Sequence, residues 1–201
     1  MGSLVEKARA VQNLFLELEE EAKTFHQEGG MGCLSGCGFC CSNPKVPASP
    51  LEFLPLAFDL ESKGIADEVA KQLALEEEPG SCVVYRKLSE DGKKGFCGNY
   101  AQRGLICRLF AASARRNQKS GKKELITCKP LKEERAQAFR KVTEKINDSM
   151  DVPIAAHWYT RLADIDDHLN QLYPINQAIL LALELVLTYR FYTQEEERTA
   201  L

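Results

Sequence analysis

Four of the eight cysteines of this 201-residue chain lie within nine residues, from Cys33 to Cys41. The stretch reads Cys-Leu-Ser-Gly-Cys-Gly-Phe-Cys-Cys and offers little apolar surface, so the burial of cysteines as small hydrophobic residues does not explain it. Thiolates bind zinc, iron and copper strongly. The stretch therefore predicts a metal site, and the region around it is expected to fold with its metal.

Disulfides are the main alternative use of an even number of cysteines. Residues 1–30 show no basic start followed by an apolar run and a small-residue cleavage site, which a secreted protein would have. A chain of this length also buries a sufficient core without covalent cross-links. The apolar run near the C-terminus contains Glu184 and is too short for a membrane span. We therefore expect a cytoplasmic protein with free thiols and no membrane partner.

The spacing of the cysteines bears on the identity of the metal. Cys37 and Cys40 form a C-x2-C pair around Gly38, a tight turn with which two sulfurs face one metal. Cys33 extends the pattern to C-x3-C-x2-C, which is also the spacing that holds a [4Fe-4S] cluster in radical S-adenosylmethionine enzymes. The helical period before Cys33 and the lack of strand-helix repeats after it do not fit the barrel of those enzymes.

Cys40 and Cys41 add a geometric constraint because they are adjacent. Neighbouring side chains on extended backbone point to opposite sides, so these two thiolates serve either two sites or one cluster several ångströms across. Eight thiolates suffice for two zinc sites, two iron-sulfur clusters, or one cluster with spare sulfurs. We favour an iron-sulfur cluster, of the [4Fe-4S] type, over zinc, because the spacing and the adjacent pair suit a large cluster better than one tetrahedral ion.

The order of the cysteines resembles that of the YkgJ-type cysteine-cluster family, whose members are expected to chelate zinc or iron. The resemblance covers about residues 31–130 and rests on C-x3-C-G-x-C-C, on Cys97-Gly-Asn-Tyr, on Cys107-Arg-Leu-Phe and on a last cysteine. The chain differs at Gly104 and Ala111, where the family usually has proline, so the local backbone is expected to differ there. The metal ligands that the resemblance implies are Cys33, Cys37, Cys40, Cys41, Cys82, Cys97, Cys107 and Cys128.

Charge is spread unevenly along the chain. Residues 82–132 hold 13 basic and 3 acidic residues, a net charge of +10, whereas residues 1–81 and 133–201 are acidic. A four-thiolate metal site carries a negative charge of about −2, which nearby cations stabilise, and Arg108 beside Cys107 fits this role best. Alternatively, this basic segment binds a protein or another anionic partner, including a nucleic acid.

The predicted fold is mainly α with a small irregular β-hairpin, and its cysteine-rich centre is nucleated by metal and packed between N- and C-terminal helices. We divide the chain into an N-terminal helix (1–30), a cysteine-cluster domain (31–130) and a C-terminal helical part (131–201), and expect the terminal helices to form a separate apolar core. The further elements that we predict are helices over about 51–64, 65–78, 105–116, 131–148, 153–170 and 174–193, and a hairpin of 82–88 with 95–100.

One predicted helix, 153–170, carries a rival set of functional groups. His157, Arg161, Asp164 and His168 fall on one of its faces. A solvated face is the favoured interpretation, because the two histidines would lie ~16 Å apart along the axis and one ion does not bridge them. His26, just before the cysteine loop, is a further candidate ligand.

These observations predict a metal-binding protein that holds an iron-sulfur cluster or zinc through cysteine thiolates, in a structural, redox or metal-handling role. The alternative is a cluster-dependent enzyme that carries out methyl transfer or redox modification of a protein or RNA partner. This enzyme alternative rests on flagellin lysine methylases, which are longer chains and contain a related cysteine cluster. The argument is a family analogy and does not rest on active-site residues of this chain. No catalytic residue is assigned.

Overall fold

The fold opens with a 26-residue helix, α1 (Leu4–Gly29), which lies within the predicted N-terminal helix over 1–30. In this computed structural model, which describes residues 2–199 and side chains as far as residue 193, Ser3 and Glu6 form a capping box at the start of α1. Gly30 ends the helix in the left-handed conformation, with φ 61°. The apolar stripe of α1 is buried along its whole length.

The other helices and strands are short, apart from the last helix. The further helices are α2 (Leu54–Ser62), α3 (Ala66–Ala74), α4 (Leu105–Leu109), α5 (Lys129–Glu134), α6 (Ala136–Lys145), α7 (Ala155–Ile165) and α8 (Ile175–Thr199). The strands are β1 (Pro47–Ala48), β2 (Tyr85–Lys87), β3 (Gly95–Cys97), β4 (Ala114–Arg116), β5 (Lys123–Leu125) and β6 (Tyr173–Pro174). They pair antiparallel as β1–β6, β2–β3 and β4–β5. A mainly α fold with small hairpins is thereby confirmed, and β2–β3 is the predicted hairpin.

A main core joins α1, α2, α3, α7 and α8 to the cysteine region. Its members include Leu18 of α1, Leu162 of α7 and Ile179 of α8, and also Leu105 of α4 and the buried thiol of Cys82. The terminal helices therefore share this core with the cysteine region, and the expectation that they form a separate apolar core is wrong.

A second core lies beyond the C-terminal end of α1. Phe25 and Met31 pack there against Leu131, Val142 and other buried residues of the segment from β4 to α7. Leu34 of the cysteine loop and the Cys128 side chain pack against the same core. The cysteine loop thus lies between two separate apolar clusters.

The largest departure from the predicted elements follows Cys107. The predicted helix over 105–116 ends at Leu109, and Ala111 has a positive φ of 62°, a conformation that a non-glycine residue rarely adopts. The chain reverses at that point and continues into β4, which pairs with β5 in a second hairpin that the sequence analysis missed.

Other predicted helices are also shorter than expected, and the helix predicted over 65–78 ends at Ala74. The helix over 131–148 is broken at Arg135 into α5 and α6, and α7 ends at Ile165. His168 therefore lies in a separate 3-10 turn, and the four-residue face of a single helix over 153–170 does not form. Within the residues that the structure describes, no helix combines the length and the apolarity that crossing a membrane would require.

Candidate metal centre

The cysteine loop is held in place by the β2–β3 hairpin. Cys37 forms an isolated antiparallel bridge with Lys94, and the Gly38 amide donates a hydrogen bond to the carbonyl of Lys93 at 2.8 Å. The Tyr85 hydroxyl donates to the Gly92 carbonyl at 2.8 Å and passes so close to Gly38 that a Cβ there would overlap it. Gly38 is therefore required by the approach of Tyr85 as well as by the C-x2-C turn.

Four thiols, which we call the inner thiols, gather on the side of the main core: Cys41, Cys82, Cys97 and Cys107. The Cys82 amide donates to the Cys41 carbonyl at 2.9 Å, and Cys97 lies opposite Tyr85 in the hairpin. Burial, followed by the nearby Cys41 and Cys97, raises the pKa of Cys82 to about 12. The pKa of Cys107 is raised by burial and then by the same neighbours together with Cys82 and Glu52.

The remaining four, the outer thiols, are Cys33, Cys37, Cys40 and Cys128. Burial raises the pKa of Cys40 to about 12, with Cys128 and then Cys33 as the next causes. Cys33 is exposed to solvent, whereas the other three are half-buried. Although the residue as a whole is exposed, partial desolvation of its thiol raises the pKa of Cys33, with Cys37 and Cys128 as the next causes, and the Arg103 cation acts in the opposite direction.

The adjacent Cys40 and Cys41 have different main thiol neighbours, although they lie in a hydrogen-bonded turn and not on the extended backbone that the sequence analysis assumed. The main thiol neighbour of Cys40 is Cys128, and that of Cys41 is Cys97. The two groups lie side by side, since Cys33 and Cys37 of the outer group also raise the pKa of Cys41. No three cysteine, histidine, aspartate or glutamate side chains of the described residues are close enough to hold one ion as they stand.

The chemistry of both groups fits a thiophilic metal. All eight cysteines are free thiols, and burial with mutual repulsion disfavours their thiolate forms unless a cation is bound among them. Thr127, next to Cys128, has a buried hydroxyl that finds no hydrogen-bond partner among the residues that the structure describes. A metal-bound thiolate would supply a hydrogen-bond acceptor for this hydroxyl.

Glu52 fixes the helix that carries Cys107. Its fully buried carboxylate accepts hydrogen bonds from the Ile106 amide at 2.9 Å and from the Ser49 amide at 2.7 Å. Burial raises the pKa of this carboxyl to about 7, against the lowering effect of those amides. A Cβ at Gly104 would lie 2.7 Å from the Glu52 carboxylate, so glycine is needed for this approach. The sequence analysis did not identify this link between Glu52 and α4.

Asn176, at the start of α8, holds the segment around Cys82. Its side-chain oxygen accepts from the Val83 amide at 2.9 Å, and its side-chain nitrogen donates to the Ser81 carbonyl at 3.0 Å and to Glu76. No local signal in the sequence indicates this role, because the bonded residues are more than 90 positions apart.

We expect Asn176→Ala to lower the free energy of unfolding by about 1–3 kcal/mol, because it removes the acceptor of the half-buried Val83 amide. It should also weaken metal retention at the inner thiols, since Cys82 adjoins Val83. Urea unfolding and metal analysis of the same samples measure both effects. The exposed neighbour Gln177 supplies the control, and Gln177→Ala should change neither. Equal effects of the two substitutions would contradict the role of Asn176.

Arg108 is buried, and within the described part of the chain it donates no hydrogen bond to a cysteine. Its guanidinium donates to Glu19 and to the carbonyls of Ala101 and Arg103, and it lies over the Phe15 ring at 4.4 Å. A direct role of Arg108 beside a cofactor stays a prediction.

The histidine candidates lie apart from the thiols or are engaged with other groups. His26 contacts the Met31 carbonyl through Nδ1. On α7, Arg161 pairs with Glu17 of α1 at 2.6 Å, which accounts for one charge of the predicted polar face.

The comparisons with known proteins agree with the cysteine pattern. Neither the curated proteins nor the solved structures include a significant match to the chain. A family model described as "CxxCxxCC: Putative zinc- or iron-chelating domain" matches residues 32–142, the segment that contains all eight cysteines. Since this segment is more than half of the chain, the protein belongs to the CxxCxxCC family of zinc- or iron-chelating domains.

Proposed function

We propose that the protein binds metal at two adjacent sites of four thiolates each, one formed by the inner thiols and one by the outer thiols. The observation that supports this proposal is that Cys41, Cys82 and Cys107 pack in or against the main core, whereas Cys128 packs against the second core. In agreement with it, the main thiol neighbour of Cys40 is Cys128 and that of Cys41 is Cys97. Four thiolates are the ligand set of a closed zinc site and of an iron-sulfur cluster.

The inner site has the character of a structural site. Cys82 is only 8% exposed, and Cys41 and Cys107 pack against the main core, so the metal there would tie the β2–β3 hairpin and α4 to the helices. A three-residue hairpin is too short to be stable alone, which gives the metal a folding role. Glu52 and Asn176 position two of its ligands from outside the site.

The outer site is the one suited to redox chemistry or metal handling, because Cys33 is exposed to solvent. We assign a [4Fe-4S] cluster to it, since Cys33, Cys37 and Cys40 retain the C-x3-C-x2-C spacing and Cys128 completes four ligands. Under this proposal the adjacent Cys40 and Cys41 serve two sites, which is one of the two arrangements that their adjacency allows. Free thiols require a reducing compartment, and we propose the cytoplasm.

The chain's own groups would tune these sites through hydrogen bonds to sulfur. The backbone amides of Leu34 and Val84 act in this direction, because they lower the pKa values of Cys33 and Cys82 against the larger raising effect of burial. An amide that donates to sulfur favours the thiolate form and neutralises part of its charge.

Metal analysis of anaerobically purified protein tests the proposal. We expect two occupied sites per chain, with visible absorbance and labile sulfide from the outer site. Two zinc ions and no visible absorbance would overturn the iron-sulfur assignment and leave the two-site arrangement intact. A single site, or a folded native protein free of metal, would contradict the arrangement itself.

A cluster-dependent enzyme is the second candidate, and one observation favours it. A groove with cationic walls opens beside the segment that leads into Cys33, as a substrate site at an exposed cluster would. Saturable binding of a small molecule in this groove is the first result that such an enzyme requires.

A further inference from the structure

A groove of about 450 Å³ lies between the C-terminal half of α1 and the segment that leads into α4. Leu18, Ala22 and Ala112 supply its apolar surface. The charged and aromatic groups that line it are Glu19, Lys23, His26, Tyr100, Arg103 and Arg108. Its size and its mixture of an apolar floor with a few polar groups are those of a small-molecule site.

The charge balance of the groove is positive. Lys23, Arg103 and Arg108 carry three cations, and Glu19 is the only acid among the described residues that line the groove. Arg108 is 6% exposed and is fixed by Glu19 and two backbone carbonyls, so one cation is built into the wall rather than solvated.

Arg103 and Tyr100 form a platform at the mouth of the groove. The Arg103 guanidinium lies 3.8 Å from the centre of the Tyr100 ring and 3.4 Å from the Glu19 carboxylate. Most of the Tyr100 side chain is exposed, so a planar group has access to this ring. The Lys23 ammonium is 3.5 Å from Glu20, a long contact on the surface of α1 that leaves it available to a ligand.

We propose that this groove binds a small organic anion, with its carboxylate or phosphate on Arg103 and Lys23 and its apolar body on the floor. Guanidinium groups recognise both anions through paired hydrogen bonds. The groove lies near Cys33, since the Arg103 cation that lines the groove is close enough to lower the pKa of that thiol. The inference goes beyond metal binding and does not depend on it.

Titration of the metal-loaded, 15N-labelled protein with benzoate, phenyl phosphate and neutral benzamide tests the proposal by NMR. We expect saturable shifts at groove residues with at least one anion and none with benzamide. Arg103→Gln and Lys23→Gln should each weaken binding about tenfold, whereas Lys141→Gln, a change of an exposed lysine on α6, should not.

The two anions separate carboxylate from phosphate recognition, and equal binding of both would indicate recognition of charge alone. The proposal is overturned if neither anion binds saturably, if benzamide binds equally well, or if both groove substitutions behave like Lys141→Gln. Metal content measured on the same samples keeps the two proposals apart. Anion binding by a protein without metal would contradict the metal sites and leave the groove proposal standing.

Discussion

Replacing Cys82 by serine is expected to unfold the protein or to lower its free energy of unfolding by on the order of 4 kcal/mol or more. The substitution removes one of four inner ligands and places a hydroxyl in the main core, where Cys82 is 8% exposed. Loss of a structural metal is among the few mechanisms with so large an effect on a single-residue change. Urea unfolding of the metal-loaded protein and metal analysis measure the change.

Cys33→Ser is the matched comparison, because it makes the same chemical change at an exposed outer thiol. We expect this variant to lose metal from the outer site only and to retain the helices of the main core, with a loss of stability several-fold smaller than that of Cys82→Ser. If Cys82→Ser does not fold at all, the half-buried Cys97→Ser supplies a milder test of the inner site. Equal losses at Cys33 and Cys82, or an unchanged unfolding midpoint of Cys82→Ser, would contradict the division into two sites.

The parts of the fold that the sequence predicts are those governed by local rules. The capping box and the apolar period of α1 determine both ends of that helix and its buried face. The β2–β3 hairpin follows from turn residues between two short apolar runs. The chelating role follows from the cysteine spacing, which the family match confirms at the level of zinc or iron.

The parts that it does not predict depend on contacts between distant segments. The assignment of each thiol to a group requires knowing that Cys128 approaches Cys40, and that Cys41 lies beside Cys82. Only the divergence of Cys40 from Cys41 is local, and the sequence analysis left open whether it meant two sites or one cluster. Ala111 misled the helix prediction for another reason, since alanine is a strong helix former that tertiary contacts hold here at positive φ.

The two supports of the inner site illustrate the same limit. Glu52 and Ile106 are 54 residues apart, and Val83 and Asn176 are 93 residues apart. Each contact satisfies a backbone amide next to a cysteine, so these residues act on metal binding through the position of a ligand. A single sequence does not reveal such pairs. Gly104 is related to one of them, because its lack of a side chain leaves room for the Glu52 carboxylate.

Glu52→Ala is expected to lower the free energy of unfolding by about 3 kcal/mol or more, because it leaves the buried amides of Ser49 and Ile106 without acceptors. It should also loosen α4 and reduce metal retention at Cys107. Urea unfolding at several pH values measures the first effect, and metal analysis the second. Glu68→Ala, an exposed change on α3, should alter neither.

The pH dependence tests whether the Glu52 carboxylate itself is responsible. Its pKa is raised from 4.5 to about 7 in the native protein, so the folded chain binds this proton more tightly than the unfolded chain. The contribution of Glu52 to stability is therefore complete below pH ~4.5 and declines as the pH rises through 7. The loss caused by Glu52→Ala should be larger at pH 5 than at pH 8, whereas Glu52→Gln, which keeps the shape and one acceptor, should cost less than alanine at both. A loss that is independent of pH would assign the effect of Glu52 to packing rather than to its carboxyl group.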